Sequence, residues 1–579
     1  DAIKLTVKSY LRNGLVIYDE ITGLFRVRLR LKTMIPLKHR ITNKTLSAFG
    51  LLACLAIFSN SQATPDTDLA SHLSATISET ESIPTLASLR KALSEGSITS
   101  EEITTKYLER IAVLDQSGPN LRSFISLNPD ALVQAKASDR RRRDDRLLGP
   151  LDGIPIAIKD NVETSDPIPT TAGSTALMNY FSNKDSPIIE SVRNAGAVIL
   201  GKTNLSQWAN FRSTYSVSGW SSVGGQVKNP HILDRTPCGS SSGSAVAVAA
   251  GLVTLAIGTE TNGSIICPAH TNGVVGFKPT VGLLSTEGIV PISNSQDTAG
   301  PIATTVLGAA ALMDAMTSSA HDFESELENA SVAGKKIGIL RFAQGDRDDI
   351  SEAFERALGV LRGLGAELTE IGSFSLPDSQ FWVDELTVLE TEFAALINRF
   401  LSDRKLKSGP QSLTELIEFN QVNSAVEMPL FGQEHFLSSL KRAGTNSPEY
   451  QSALQNVRRA ARSQGIDQLL AIAGSDLLIA PSGPIAPPID LINGDVWPTR
   501  VGVGYLAAVA GYPHITVPMG VVQGMPIGVS FFGASGRDSL VLATAHAWQT
   551  ASKIFPHPKF VPSAVAREDL AETQRGLDL

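Results

Sequence analysis

Thr236-Pro237-Cys238-Gly239-Ser240-Ser241-Ser242-Gly243-Ser244-Ala245 sets three consecutive serines between glycines, directly ahead of an apolar, alanine-rich segment. That segment reads as a helix. The hydroxyls therefore fall at a helix start, where exposed N–H groups and the positive dipole end collect. Alone, the run also suits a flexible Ser/Gly linker. Two neighbouring segments favour chemistry: Gly258-Thr259-Glu260-Thr261-Asn262-Gly263-Ser264-Ile265 downstream, and an apolar strand ending at Lys159 upstream.

Outward from this run, strands alternate with helices. Thr85–Leu93 and Ser100–Leu114 read as helices broken at Gly96, the second opened by Thr99 and Glu102 at capping-box spacing. Arg122–Asn128 alternates as a strand, and Pro129–Arg143 returns to helix. Gly153–Lys159 is a short β-branched run; Pro187–Asn194, Gly196 and Ala197–Leu200 form a helix–glycine–strand unit. Strand Lys336–Phe342 with helix Asp349–Leu364 makes another, and Ala507–Thr550 supplies more apolar strand and helix. This alternation implies a layered α/β sheet. The helix-rich stretch 376–460 is expected to fold over one side of it.

The 579 residues are 42% hydrophobic and 19% charged, which suits a soluble chain with a large core. A net charge of −8 with no evident basic face argues against nucleic acid as a partner. Arg140–Arg143 runs straight into Asp144 and Asp145 and reads as a solvated helix end. The nine histidines are scattered and no Cys/His spacing suggests a metal, so neither metal nor cofactor is expected. Of three cysteines, Cys238 and Cys267 lie close to serines of interest. They are expected to be small apolar filler, with one bridge as the alternative.

Residues 1–33 look like a non-native upstream segment. From Met34, basic residues, the apolar run Leu46–Phe58 and Ser61-Gln62-Ala63 follow the layout of a secretory signal peptide over 34–63. Leu51-Leu52-Ala53-Cys54 offers a lipoprotein box as second choice. The apolar run is short for a bilayer span, so no stable membrane span is expected. Residues 64–82 form a polar tail, and 83–579 the folded domain. Export places the protein in the periplasm or outside the cell.

Lys159 ends its strand on the face opposite Ile154, Ile156 and Ile158. Burial there lowers a lysine's pKa and frees the amine as a base; a lysine snorkelling to solvent is the plainer alternative. Ser264 follows strand and small turn residues, a setting for an exposed nucleophile. The N–H groups of Thr261, Asn262, Gly263 and Ser264 then supply an oxyanion hole, against the plainer reading of an Asn-Gly turn. Gly239-Ser240-Ser241-Ser242-Gly243 matches the G-x-S-x-G elbow of Ser-His-Asp hydrolases, but the elbow needs a buried strand before it. Asn229–Pro237 is polar with two prolines and does not provide one.

Together, Gly149–Asn161, the serine loop and Gly258–Ser264 resemble the lysine and glycine/serine motifs of the amidase signature family. The 24 positions from Ser240 to Ser264 match that family's spacing. Gly201-Lys202-Thr203-Asn204, Gly276–Gly282 and Ser295–Pro301 add further matches in order, so the resemblance runs from about residue 83 to near 550. It implies a single α/β domain around a mixed, largely parallel sheet flanked by helices. It also implies a Ser–Ser–Lys triad: Ser264 as nucleophile, Ser240 on a cis peptide bond as bridge, Lys159 as base, Ser241 in support. Thr170–Ser174, Trp208–Ser213, Ser218–Trp220 and Pro237–Gly239 resemble the peptide amidase-like branch. That branch often has Asp where this chain has Asn262. Trp208 and Trp220 line a substrate cleft or fill the core.

The expected activity is hydrolysis of a carboxamide, on a small molecule or a peptide C-terminus, to carboxylate plus ammonia or amine. Two alternatives remain: a glutaminase-like subunit of a tRNA-dependent amidotransferase, and an inactive binding protein on the same fold. The acyl group is expected to be read by 376–460 and nearby loops.

Overall fold

A computed structural model describes residues 83–317, 321–375, 379–404, 406, 408–498 and 501–570. The upstream segment, signal peptide and polar tail expected over 1–82 lie outside the described residues.

The strands are β1 (Phe124–Leu127), β2 (Pro155–Lys159), β3 (Val198–Thr203), β4 (Trp220–Ser221), β5 (Gly225–Gln226), β6 (Leu255–Glu260), β7 (Val275–Lys278), β8 (Thr298–Ala303), β9 (Lys336–Leu340), β10 (Glu367–Ile371), β11 (Leu477–Pro481), β12 (His514–Val522) and β13 (Met525–Phe532). Among the described residues, eleven of them join one sheet in the order β1-β3-β2-β6-β8-β7-β12-β13-β11-β9-β10, with β4 and β5 a separate hairpin. The sheet is mixed and helices flank it. Parallel pairing is concentrated in two blocks, β3-β2-β6 and β11-β9-β10. Between the blocks, β8, β7, β12 and β13 pair antiparallel. β12 and β13 are joined by the short turn at Gln523-Gly524, which reverses the chain without a crossover.

Local signals account for several elements. Thr85 and Thr99 each cap a helix reciprocally with the residue three positions on, starting Leu86–Ser94 and Ser100–Leu114. Pro187 sits at the first turn of Pro187–Asn194, where its missing N–H is not needed. β2 is buried along its whole length, as a strand paired on both sides in parallel should be. The strand expected to reach Phe342 stops at Leu340, where Arg341–Ala343 turns into a short 3-10 helix.

Helices dominate the described part of 379–461, led by the long helix Ser379–Arg404. Its Phe393, Ile397 and Leu401 pack with Trp208, Phe211 and Phe436. Its Phe381 and Val388 pack with Tyr450, Leu478 and Phe532. Trp208 is thus a core residue, edge-on to Phe436 with ring centroids 5.8 Å apart. Trp220 is half-buried, edge-on to Phe431.

Two expectations are corrected. The arginine run is more than a solvated helix end: Arg141 binds the buried Asp152 carboxylate at 2.8 and 2.9 Å, and Arg142 binds its carbonyl at 2.9 Å. The arginines at the ends of the run, Arg140 and Arg143, are exposed. Cys238 and Cys267 are a disulfide rather than apolar filler. They approach because the loop before Ser240 lies against the helix Ile266–Asn272 that follows Ser264.

Candidate active site

β2 and β6 run parallel and in register, Ile156 beside Leu255 and Ile158 beside Ile257. Parallel pairing brings their carboxyl ends together, the usual place for a site in such sheets. Lys159 at the end of β2 therefore meets Thr259 near the end of β6. Its Nζ lies 2.9 Å from Thr259 Oγ1, 3.2 Å from Thr259 O and 2.7 Å from Ser240 Oγ. Lys159 is fully buried, not snorkelling. Desolvation pulls its amine down to about 7, opposed by the negative charges of Glu260 and Asp297.

Lys202 and Lys278, in two of the three further motifs, likewise lie at or next to the last position of buried strands and are drawn down to about 8 by burial. Lys202 binds Val162 O and Thr170 Oγ1, and Lys278 binds Pro279 O. Of the three, Lys159 is the one whose amine reaches a serine of the run.

The serine run is not a linker. Ser240, Ser241 and Ser242 have no exposed surface. A Cβ on Gly239 would sit 2.1 Å from Ser206 Oγ, and one on Gly243 2.3 Å from Ser123 O, so both positions need glycine for close approach. The Gly239–Ser240 peptide bond is cis. Ser242–Ala249 begins a fully buried helix. Ser241, the residue an elbow search selects, has no strand before it. Its Oγ binds Thr259 through the carbonyl (3.0 Å) and the N–H (3.2 Å).

Ser264 lies beside the run: its carbonyl accepts from Ser241 N–H at 3.1 Å. It is 8% exposed, whereas Ser240 and Lys159 are at 0%. Its hydroxyl makes no hydrogen bond among the described residues, so the Ser240–Ser264 link is not closed here by a direct bond. The four N–H groups of Thr261, Asn262, Gly263 and Ser264 likewise have no protein acceptor among the described residues. Buried or half-buried N–H groups are rarely left so, and four in succession at one turn make a ready anion receptor.

The turn is held from outside. Glu260 Oε2 accepts from the N–H groups of Ile265 (2.7 Å) and Ile266 (3.0 Å). Thr261 Oγ1 binds Asp297 at 2.5 Å, and Asp297 also accepts from Ile292 and Ser293 N–H. Burial pushes the Asp297 carboxyl up to about 6. Asn262 Nδ2 donates to Glu385 Oε1 at 2.7 Å. Sequence reasoning missed Thr259, Asp297 and Glu385. Alternation along β6 puts Thr259 on the face of Leu255 and Ile257, a signal that was available; Glu385 arrives from a helix more than a hundred positions away and carries none.

A buried polar cluster flanks the site. Glu427 accepts from Ser174, Thr175, Gln207 and Ser222, and its carbonyl from Arg212, whose guanidinium lies 4.3 Å from the Phe431 ring centroid.

The family model described as Amidase matches residues 102–542. The chain belongs to the amidase signature family. A protein of Arabidopsis thaliana named "Probable amidase" is 36% identical over 514 residues, 84% of this chain and 93% of the relative. The native peptide amidase of Stenotrophomonas maltophilia is 43% identical with a TM-score of 0.77, covering 83% of this chain and 99% of that one. A glutamyl-tRNA(Gln) amidotransferase subunit of Chloroflexus aurantiacus is 33% identical over 490 residues, 80% of this chain and 96% of the relative. The chain is thus an amide C–N hydrolase of the family, with likeness to the peptide amidase branch.

Proposed function

We propose that this amidase hydrolyses C-terminal carboxamides of peptides, through an acyl-enzyme on Ser264. The observation that carries the reading is the 2.7 Å contact of the fully buried Lys159 Nζ with Ser240 Oγ. A neutral amine has two N–H bonds and one lone pair. Thr259 O and Oγ1 accept the two N–H bonds, which leaves the lone pair for the Ser240 proton.

As Ser264 Oγ attacks the carbonyl carbon, its proton passes to Ser240 and the Ser240 proton passes to Lys159. The carbonyl oxygen gains negative charge and is received by the N–H groups of 261–264. Collapse breaks the C–N bond, and the relay returns a proton to the departing nitrogen, releasing ammonia. Water then attacks the ester by the same relay, freeing the carboxylate and Ser264. Ser241 holds the relay by fixing Thr259.

The peptide substrate rests on the likeness to peptide amidases, one of which was solved with the competitive inhibitor chymostatin. The amidotransferase relative favours a second reading, a glutaminase acting with partner chains. A panel of C-terminally amidated peptides, free glutamine, short aliphatic amides and aryl amides separates the two: ammonia released from peptide amides but not glutamine supports the first, and the reverse overturns it. The export layout at 34–63 supports a periplasmic or secreted enzyme; N-terminal sequencing of protein recovered outside the cytoplasm, starting near Thr64, is the result expected.

A further inference from the structure

The N–H groups of the turn 261–264 have no protein acceptor among the described residues, so backbone bonds from them do not hold its shape. Thr261 is fixed by Asp297, and Gly263, at φ 82°, accepts from Cys267 N–H through its carbonyl. The tip, Asn262, is tied by one side-chain bond, Nδ2 to Glu385 Oε1 at 2.7 Å. The same carboxylate oxygen lies 3.4 Å from Gln296 Nε2, and Gln296 Nε2 lies 3.3 Å from Thr261 O.

We propose that Glu385 is a positioning residue for the oxyanion-binding turn, acting through the Asn262 amide. This rests on the reading of 261–264 as that turn. Asn262 suits it because an amide donates to a carboxylate. An Asp in its place would instead set two carboxylates face to face, a pair that favours holding a shared proton.

Glu385 is 5% exposed, and among the described residues no basic side chain pairs with it. The charged groups around it are engaged elsewhere. Asp297 binds Thr261, Glu392 on the same helix binds Ser293 and Tyr450, Asp384 binds Asn456, and Glu390 pairs with Arg442. Its carboxyl is met by two amides, those of Asn262 and Gln296. Desolvation raises its carboxyl, and the donations from Asn262 and Gln296 oppose that.

The test is the second-order rate of labelling by a fluorophosphonate, taken relative to the parent at each pH from 6 to 9. The variants are N262D, E385Q and N262D/E385Q, each checked by thermal melting. N262D is expected to label at least tenfold more slowly at the alkaline end of the range, where the two carboxylates face each other unprotonated, and to recover as pH falls and the pair takes up a proton. E385Q, whose amide oxygen still accepts from Asn262, should stay within threefold. The double variant reverses the bond's polarity and should return to within threefold of the parent, flat with pH. A double variant as slow as N262D, or an N262D as fast as the parent across the whole pH range, overturns the proposal. S264A is the separate control: parental labelling there removes the nucleophile assignment, whereas loss of labelling with no rescue removes only the role of Glu385.

Discussion

Thr259 meets Lys159 twice, its hydroxyl 2.9 Å and its carbonyl 3.2 Å from the amine. The hydroxyl also accepts from Asn161 Nδ2 at 3.0 Å. Thr259→Val keeps the shape and removes the hydroxyl, leaving a buried amine and a buried amide each short of a partner. Such a loss is worth about 1–3 kcal/mol. A fall in kcat of about 10- to 100-fold with little change in KM is expected from steady-state kinetics on an amidated peptide. A parental kcat would show that Lys159 needs no second anchor.

The amine at about 7 sets a pH limb. The base must be neutral, so activity is lost as pH falls through that value and is full above it. A plot of kcat/KM should rise between about pH 6 and 8 with an apparent pKa near 7. Lys159→Arg, which cannot be neutral in this range, should abolish turnover at every pH. A profile flat down to pH 5 would remove Lys159 as the base.

The Cys238–Cys267 bond ties the residue before Gly239-Ser240 to the helix after Ser264, across a separation of 29 residues. For a loop of that size the chain-entropy contribution is about 3–4 kcal/mol. Cys238→Ser with Cys267→Ser should lower the urea midpoint accordingly. It should also slow turnover at temperatures where the variant is still folded. Reduction of the parent by a dithiol under mild denaturant should have the same direction of effect. Unchanged stability and rate would make the bond incidental.

Glu427 gathers donors from Ser174, Thr175, Gln207 and Ser222 and carries no exposed surface. Glu427→Ala strands these donors in the interior, at a cost of about 3 kcal/mol. Urea unfolding should register that loss. kcat below the transition should change less than for Thr259→Val, since Glu427 touches none of the reacting groups.

Much of the parallel half of the fold was legible because its determinants are local. The capping pairs at Thr85 and Thr99, Pro187 at its helix start and the β-branched run into Lys159 each carry their signal within a few residues. Lys159, Ser240 and Ser264 stood out for the same reason: each sits at a strand end or helix start with small residues around it. What stayed hidden depends on distant segments. The antiparallel order through β8, β7 and β12 is decided by which buried faces meet. Glu385 and Glu427 look like ordinary surface acids on amphipathic helices until the helical layer folds down over the loops. The cysteines were misread because composition favours filler when a chain has so few, whereas their pairing is decided by the approach of two loops.

The disulfide closes a covalent ring that contains Ser240, Ser241, Thr259 and the whole turn 261–264. Of the three residues proposed to react, Lys159 lies outside it. The hydroxyls and the anion receptor therefore stay tethered to one another even when other contacts of the chain are lost. The amine of Lys159 is brought to them by the pairing of β2 with β6. The ring thus keeps the serine hydroxyls and the turn in one covalent loop, while Asp297, Glu385 and Lys159 reach them from three other segments.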